Sequence, residues 1–177
     1  GGYSTQLQQP ADFFIAIPDG LDLQRSAPLL CAGITVYNPI KRYVKPGMKT
    51  CVIGIGGLGH LAVQFLAKLG TEVTAVTNSL DKEEFIKKLG AHRVITIDDK
   101  NAVQKYAETH EFVINTLPCT TEGFDTYLSL TARAGVFCQV GLPDVGEKTT
   151  FCINPLVINE IHLVGSVVGS RSDIKEM

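Results

Sequence analysis

CVIGIGGLGHLAVQFLAKLG (51–70) is the stretch that most limits what this chain can fold into. A short apolar, β-branched run (51–55) leads into Gly54-Ile55-Gly56-Gly57-Leu58-Gly59. From there the chain enters a segment with apolar residues at helical spacing, closed by Gly70. The three spaced glycines answer three steric demands: Gly54 allows a tight turn, Gly56 lets the main chain approach a pyrophosphate, and Gly59 lets a helix lie close on a strand. The N–H groups bunched at the positive end of such a helix receive an anion. A glycine-rich turn without a ligand is the alternative for the same residues, and methyltransferases use a looser form of the loop. The strand before and the helix after favour a dinucleotide.

The rest of the chain repeats the alternation. Strands are expected at 72–77, 93–97, 112–116, 135–141 and 162–168, in addition to the one at 51–55. Helices are expected at 58–70, 81–90 and 122–132, with a weaker helical segment at 103–109. The 81–90 segment is acidic at its start, basic near its end and closed by glycine, as the helix dipole favours. Six strands separated by helices predict an α/β fold with a doubly wound, six-stranded parallel sheet of Rossmann type. Its ligand would lie outside the carboxyl ends of the strands. A helical stretch at 26–43 precedes the sheet, and FFIAIP (13–18) reads as an extended edge piece stopped by Pro18.

Composition narrows the function. With 45% hydrophobic and 19% charged residues the chain can build a packed core. A net charge of −2, without a run of Lys or Arg, argues against nucleic acid as a partner. No apolar stretch approaches the ~20 residues of a membrane-spanning helix, and the first residues do not read as a signal peptide. Five irregularly spaced cysteines read as free thiols in a reducing compartment, so a cytoplasmic location is expected. Cys51, Cys138 and Cys152 are expected as small buried hydrophobes. Cys31, in PLLCAGITVY, has no Cys-x-x-Cys or His-x-x-His elsewhere to join it, and on local sequence reads either as a buried structural cysteine or as one metal ligand.

The choice of dinucleotide turns on the end of the second strand. An NAD site usually carries Asp or Glu there to bind the ribose hydroxyls. Here the residue is Thr77, followed by Asn78, Ser79, Leu80, Asp81 and Lys82. Three hydrogen-bonding side chains and a lysine suit a 2′-phosphate, which favours NADP over NAD. The same residues also read as a helix start, with Ser79 as N-cap, Asp81 and Glu83 favouring the dipole and Lys82 solvated, and the two readings are compatible. His60 either faces the pyrophosphate or lies on the surface, and no catalytic role is assigned to it.

The stretch from PLLCAGITVYNPIKRYVKPGMK through GIGGLGHLAVQFLAKLG resembles the medium-chain, zinc-dependent alcohol dehydrogenases, and within them the cinnamyl alcohol dehydrogenase-like branch with its L-C-A-G-x-T-V-Y segment and G-x-G-G-x-G-H. GGYS, KKLGAHRVI, VINT, VGLP and GSVVGSR are similar to that branch as well. The resemblance implies hydride transfer between NADP(H) and a primary alcohol or aldehyde, and a role for Cys31 as third ligand of a catalytic zinc whose other ligands precede GGYS. It implies that Thr35 contacts the nicotinamide side, that Gly54, Ile55, Gly56, Gly57, Leu58 and Gly59 hold the pyrophosphate, and that Thr77, Asn78, Ser79 and Lys82 hold the phosphorylated ribose. Thr116, Gly141, Ser166, Val167 and Val168 would line the nicotinamide half. No catalytic residue is assigned.

On this resemblance, residues 1–24 are a remnant of a catalytic, GroES-like domain, 25–168 the coenzyme domain and 169–177 the start of the return to the first domain. The chain is then expected to be an excised coenzyme domain that binds NADPH but does not turn over, with zinc absent from it and a homodimer possible. A zinc-free quinone reductase relative and a non-enzymatic dinucleotide-sensing module are the competing readings. The thiol of Cys31 speaks against the first.

Overall fold

The computed structural model describes residues 3–119 and 123–177, so Gly1 and Gly2 of GGYS and the expected helix start at Glu122 lie outside the described residues. Six strands form one sheet: β1 (Lys49–Ile53), β2 (Glu72–Thr77), β3 (Arg93–Thr96), β4 (His110–Asn115), β5 (Thr131–Gln139) and β6 (His162–Gly165). Their order is β3-β2-β1-β4-β5-β6, and every neighbouring pair is parallel. Consecutive strands step outward from β1 to β3, then the chain returns to the other side of β1 and steps outward again. The order therefore reverses between β1 and β4, which is where such sheets open a ligand crevice.

The strands alternate between two apolar layers, as period-2 side chains must in a sheet covered on both faces. Val52, Val73, Ala75, Phe112, Ile114 and Cys138 face one core. That core is closed by α2 (Ala32–Tyr43), α3 (Gly59–Lys68) and α4 (Glu83–Lys88) through Val36, Ile40, Ala62, Val63, Leu66 and Ile86. Cys51, Ile53, Val76, Val113 and Phe137 face the other core, which is covered by α5 (Lys100–Lys105) and α6 (Phe124–Leu128) through Val103, Phe124 and Leu128. Phe112 and Phe137 are fully buried on opposite faces. Each such side chain contributes about 1.5–3 kcal/mol relative to exposure. Two further helices, α7 (Asn154–Ile158) and α8 (Arg171–Glu176), flank β6, and a short α1 (Leu23–Ser26) precedes α2. Among the described residues no helix is long and apolar enough to cross a membrane.

Several elements depart from the sequence expectation. The 13–18 segment is not an edge strand. Ala11–Phe13 forms a 3-10 turn, and the extended residues after it join no sheet, leaving Phe13 74% exposed. The helix expected at 26–43 is divided at Cys31, whose φ of −124° and ψ of −75° lie outside the helical region. Before it a 3-10 turn runs over Ala27–Leu30 with Pro28 in its first turn, and after it α2 continues through Pro39. The fifth strand begins at Thr131, earlier than its Gly135, with a register shift against β4 between His110 and Phe112. The sixth ends at Gly165, so residues 166–168 leave the sheet. Cys51 and Cys138 are buried as expected, but Cys152 is exposed, because its apolar FCI run forms a loop rather than a strand. There its N–H donates to Asp125 Oδ1 at 2.9 Å.

One buried group makes the fold sensitive to pH. His110, at the start of β4, is 2% exposed, and both its main-chain N–H and its Nδ1 lie 3.1 Å from the Leu130 carbonyl. Burial lowers its pKa below the ordinary imidazole value, while the Leu130 bond opposes that shift. Of the nearby charges, Arg93 and Lys49 favour the neutral ring and Glu72 the charged one. The folded chain therefore holds His110 neutral at a pH where the unfolded chain, titrating near 6.5, takes up a proton. Stability is full above that pH and declines as pH falls. Thermal unfolding between about pH 7.5 and 5.5 should show a shallower decline for His110→Gln than for the unaltered chain, and equal slopes would count against this role.

Candidate functional site

The cleft at the switch point grows out of the first turn of the sheet. Gly54 follows β1 with a φ of +83°, and a Cβ there would come within 2.6 Å of the Leu117 side chain and 2.8 Å of Thr116 Oγ1. Gly59, the first residue of α3, is tighter: a Cβ would stand 1.9 Å from the Gly54 carbonyl oxygen. Glycine at both places lets the helix start directly over the strand end. Gly56 and Gly57 are different, since a Cβ on either would meet nothing within 4 Å. They are exposed, and among the described residues no carbonyl takes the amides of residues 55–58. Free amides beside open space at a helix N-terminus fit a dinucleotide pyrophosphate. His60 turns back on this loop, its Nδ1 2.9 Å from the Gly56 carbonyl, a contact compatible with either of its two sequence readings.

A cleft of about 290 Å³ lies beside the turn. Gly54, Ile55 and Gly56 line one wall and Thr77, Asn78, Ser79 and Lys82 another, so the structure brings together the pyrophosphate and ribose residues that the sequence singles out. Gly57, Leu58 and Gly59 complete the loop without lining the cleft. Ser79 does act as a cap, its Oγ accepting from the Asp81 N–H at 3.1 Å. Asp81 lines the same cleft as Lys82 and is the one carboxylate among the lining residues.

The sequence reading missed the apolar floor of this cleft, made by Ile97 and Tyr127 together with Leu117. Ile97 follows the carboxyl end of β3, and that position is a usable signal, because ligands of such sheets lie at carboxyl ends. The phenol of Tyr127 has its pKa raised, chiefly by burial and then by the charge of Asp98.

The remaining singled-out residues lie across the switch point. Thr116 Oγ1 is bonded to the carbonyls of Ile53 (2.9 Å) and Gly54 (2.7 Å), so it ties the end of β4 to the glycine turn. Gly141 follows β5, and the Ser166 N–H donates to the Gln139 carbonyl at 3.2 Å. Val167 and Val168 are exposed, and the Val168 carbonyl accepts from Asn38 Nδ2 at 3.2 Å. Thr35 sits in the first turn of α2, its N–H on the Cys31 carbonyl. None of Thr35, Gly141, Ser166, Val167 and Val168 lines the 290 Å³ cleft; the structure spreads them along β5, β6 and α2.

Cys31 is exposed at the break before α2. Among the described residues no three His, Cys, Asp or Glu side chains gather where they could hold a metal ion. A catalytic zinc takes three protein ligands, so the described residues do not by themselves form a zinc site.

The comparisons with known proteins agree with this geometry. The model of the family described as zinc-binding dehydrogenase matches residues 57–177. The probable formaldehyde dehydrogenase AdhA of Bacillus subtilis (strain 168) is 36% identical over 178 residues, a match that takes in 100% of this chain and 50% of the relative. The chain thus spans about half the length of the curated relatives it matches. The solved structure of the cinnamyl alcohol dehydrogenase SbCAD4 of Sorghum bicolor superposes with a TM-score of 0.87 at 32% identity, covering 94% of this chain and 47% of that one. The cinnamyl alcohol dehydrogenase of Helicobacter pylori, solved in complex with NADP(H), gives 0.79 at 31% identity over 92% of this chain and 46% of its own. From its glycine turn to its strand order, this chain belongs to the zinc-binding dehydrogenase family, in the cinnamyl alcohol dehydrogenase-like branch of the medium-chain alcohol dehydrogenases.

Proposed function

We propose that residues 25–168 are the coenzyme domain of an NADP-dependent, zinc-dependent alcohol dehydrogenase that passes hydride between NADP(H) and a primary alcohol or aldehyde. In this reading residues 1–24 belong with the catalytic domain and 169–177 lead back to it. The observation that carries it is the open turn at Gly56, whose added Cβ would meet nothing within 4 Å, sharing one cleft with Thr77, Asn78, Ser79 and Lys82.

The loop amides and the start of α3 hold the pyrophosphate. Thr77, Asn78 and Ser79 offer hydrogen bonds to the phosphorylated ribose, and Lys82 offers a charge. Across the switch point Thr116, Gly141, Ser166, Val167 and Val168, with Thr35 on α2, hold the nicotinamide half in place. When bound, the nicotinamide supplies or accepts the hydride. Cys31 serves as one zinc ligand of the whole enzyme, its partners coming from beyond the described residues. Five free cysteines support a cytoplasmic setting, and β6, an open sheet edge, is in keeping with a homodimer.

Calorimetric titration with NADPH tests the reading, with two glycine variants as its controls. Gly56→Ala should leave thermal stability within about 0.5 kcal/mol and weaken NADPH at least about tenfold, since the added methyl meets only the ligand's space. Gly59→Ala should instead destabilise the fold by about 1–3 kcal/mol, because a carbonyl oxygen blocks the methyl. NADPH binding untouched in Gly56→Ala would overturn the cradle.

Lys82→Glu separates the two coenzymes. NADPH affinity should fall about tenfold or more at low salt while NADH changes by less than about threefold. Equal losses would remove the 2′-phosphate role. Purified chain supplied with zinc and NADP should oxidise no primary alcohol, and measurable turnover would refute the assignment of Cys31 as a ligand without partners here.

A further inference from the structure

We infer that Asn115 and Gln139 form a positioning pair that sets the backbone receiving the nicotinamide half, an inference that rests on the dinucleotide reading of the cleft. They are register partners at the carboxyl ends of β4 and β5, on the far side of the switch point from the adenosine cleft. A doubly wound sheet of this order binds one mononucleotide on each side.

Asn115 is fully buried, yet polar. Its Nδ2 donates to Gln139 Oε1 at 2.8 Å, and its Oδ1 accepts from the Leu117 N–H at 3.1 Å. Gln139 Nε2 donates to the Leu117 carbonyl at 2.9 Å and to the Gly141 carbonyl at 2.7 Å. The Asn115 carbonyl accepts from the N–H groups of Val140 (3.0 Å) and Gly141 (3.2 Å). Both hydrogens of the glutamine amide are used, and turning that amide over would set Oε1 against two carbonyls, so its orientation is fixed. Gln139 also accepts from the Ser166 N–H through its own carbonyl. One residue thus ties together the segments that follow β4, β5 and β6.

The tie is stiff because the loops have no slack. A Cβ on Gly141 would lie 2.1 Å from the Leu117 carbonyl oxygen, and the Leu117 side chain lies against Gly54 in the phosphate turn. A shift at Gln139 therefore passes to the Leu117 and Gly141 backbones it holds. A fully buried amide at Asn115 is a costly way to fill a core position, where an aliphatic side chain would need no partner. What the amides add is direction: they fix where three loop backbones stand.

The test compares whole and half ligands. NADPH and 2′,5′-ADP, which carries only the phosphorylated adenosine end, are titrated calorimetrically into the chain and into Gln139→Leu and Gln139→Glu, with NADPH fluorescence followed in parallel. Both variants should lose about tenfold in NADPH affinity, with the fluorescence change on binding reduced and 2′,5′-ADP affinity held within about twofold. Should Gln139→Leu fail to fold, Gln139→Glu carries the comparison, since it keeps the acceptor for Asn115 Nδ2 and turns the two donations into repulsion between a carboxylate oxygen and the Leu117 and Gly141 carbonyls. Equal losses for both ligands, no loss for either, or an unaltered chain that binds NADPH no better than 2′,5′-ADP would each overturn the pair's role while leaving the dinucleotide reading in place. An unaltered chain that binds neither ligand overturns the dinucleotide reading along with it.

Discussion

The rest of the structure depends on the contact between the start of α3 and the end of β1. With the place of a Gly59 Cβ only 1.9 Å from the Gly54 oxygen, any side chain at residue 59 would push the helix off the strand. That closeness does two things together. It lets Ala62, Val63 and Leu66 reach the sheet and close one core, and it aims the first amides of the helix into the crevice beyond the strand end. Fold and candidate site are therefore two consequences of one missing methyl group.

From that junction the sheet distributes the work. The parallel register sends every strand's carboxyl end to the same edge, so residues distant in sequence meet there: Ile53, Val76, Ile97 and Leu117 all stand at or just past strand ends and all line one cleft. The hydrogen bonds of Thr116 to the carbonyls of Ile53 and Gly54 then stitch the central strand pair at the point where the strand order reverses. The opposite end of the strands carries the buried His110 and the ion pair between Arg93 and Glu72, groups that lie away from the cleft. Such a division between the two ends of the strands is what a parallel sheet with short crossovers permits.

How much of this could be read from residues follows from the range of the interactions. The glycine turn, the strands and the helices that close on Gly70 and Gly90 are written in local spacing, and the sheet and its order follow from that alternation. FFIAIP failed as an edge strand because its alternation is local while a ladder needs a neighbour, and the described chain supplies none. Cys152 failed as a core residue for the same reason, since an apolar run predicts burial only if a strand forms there. The wall of the cleft made by Thr77, Asn78, Ser79 and Lys82 was readable because these residues stand at and just past one strand end. Asn115 and Gln139 were not, because an amide pair acquires meaning only through a partner 24 positions away. The resemblance to a family pointed to Thr35, Ser166, Val167 and Val168, which local pattern alone would leave as a helix turn and a loop.

The two readings of the segment after β2 are compatible in one arrangement. A serine hydroxyl has one hydrogen to give and two lone pairs to take with. Ser79 spends a lone pair on the Asp81 N–H, which starts the 3-10 turn, and that bond leaves its hydroxyl hydrogen unused in the cleft it lines. Capping and the proposed ribose recognition would thus use different parts of one side chain. The turn so started also brings Lys82 to the wall of that cleft while Asp81 stands beside it. A lone carboxylate at Thr77 would meet a 2′-phosphate with like charge at the strand end itself. Moved to residue 81, on an exposed turn, the acid is screened by water and offset by the adjacent lysine. The sequence from Thr77 to Lys82 is therefore physically suited to a phosphorylated ribose even with an aspartate in it.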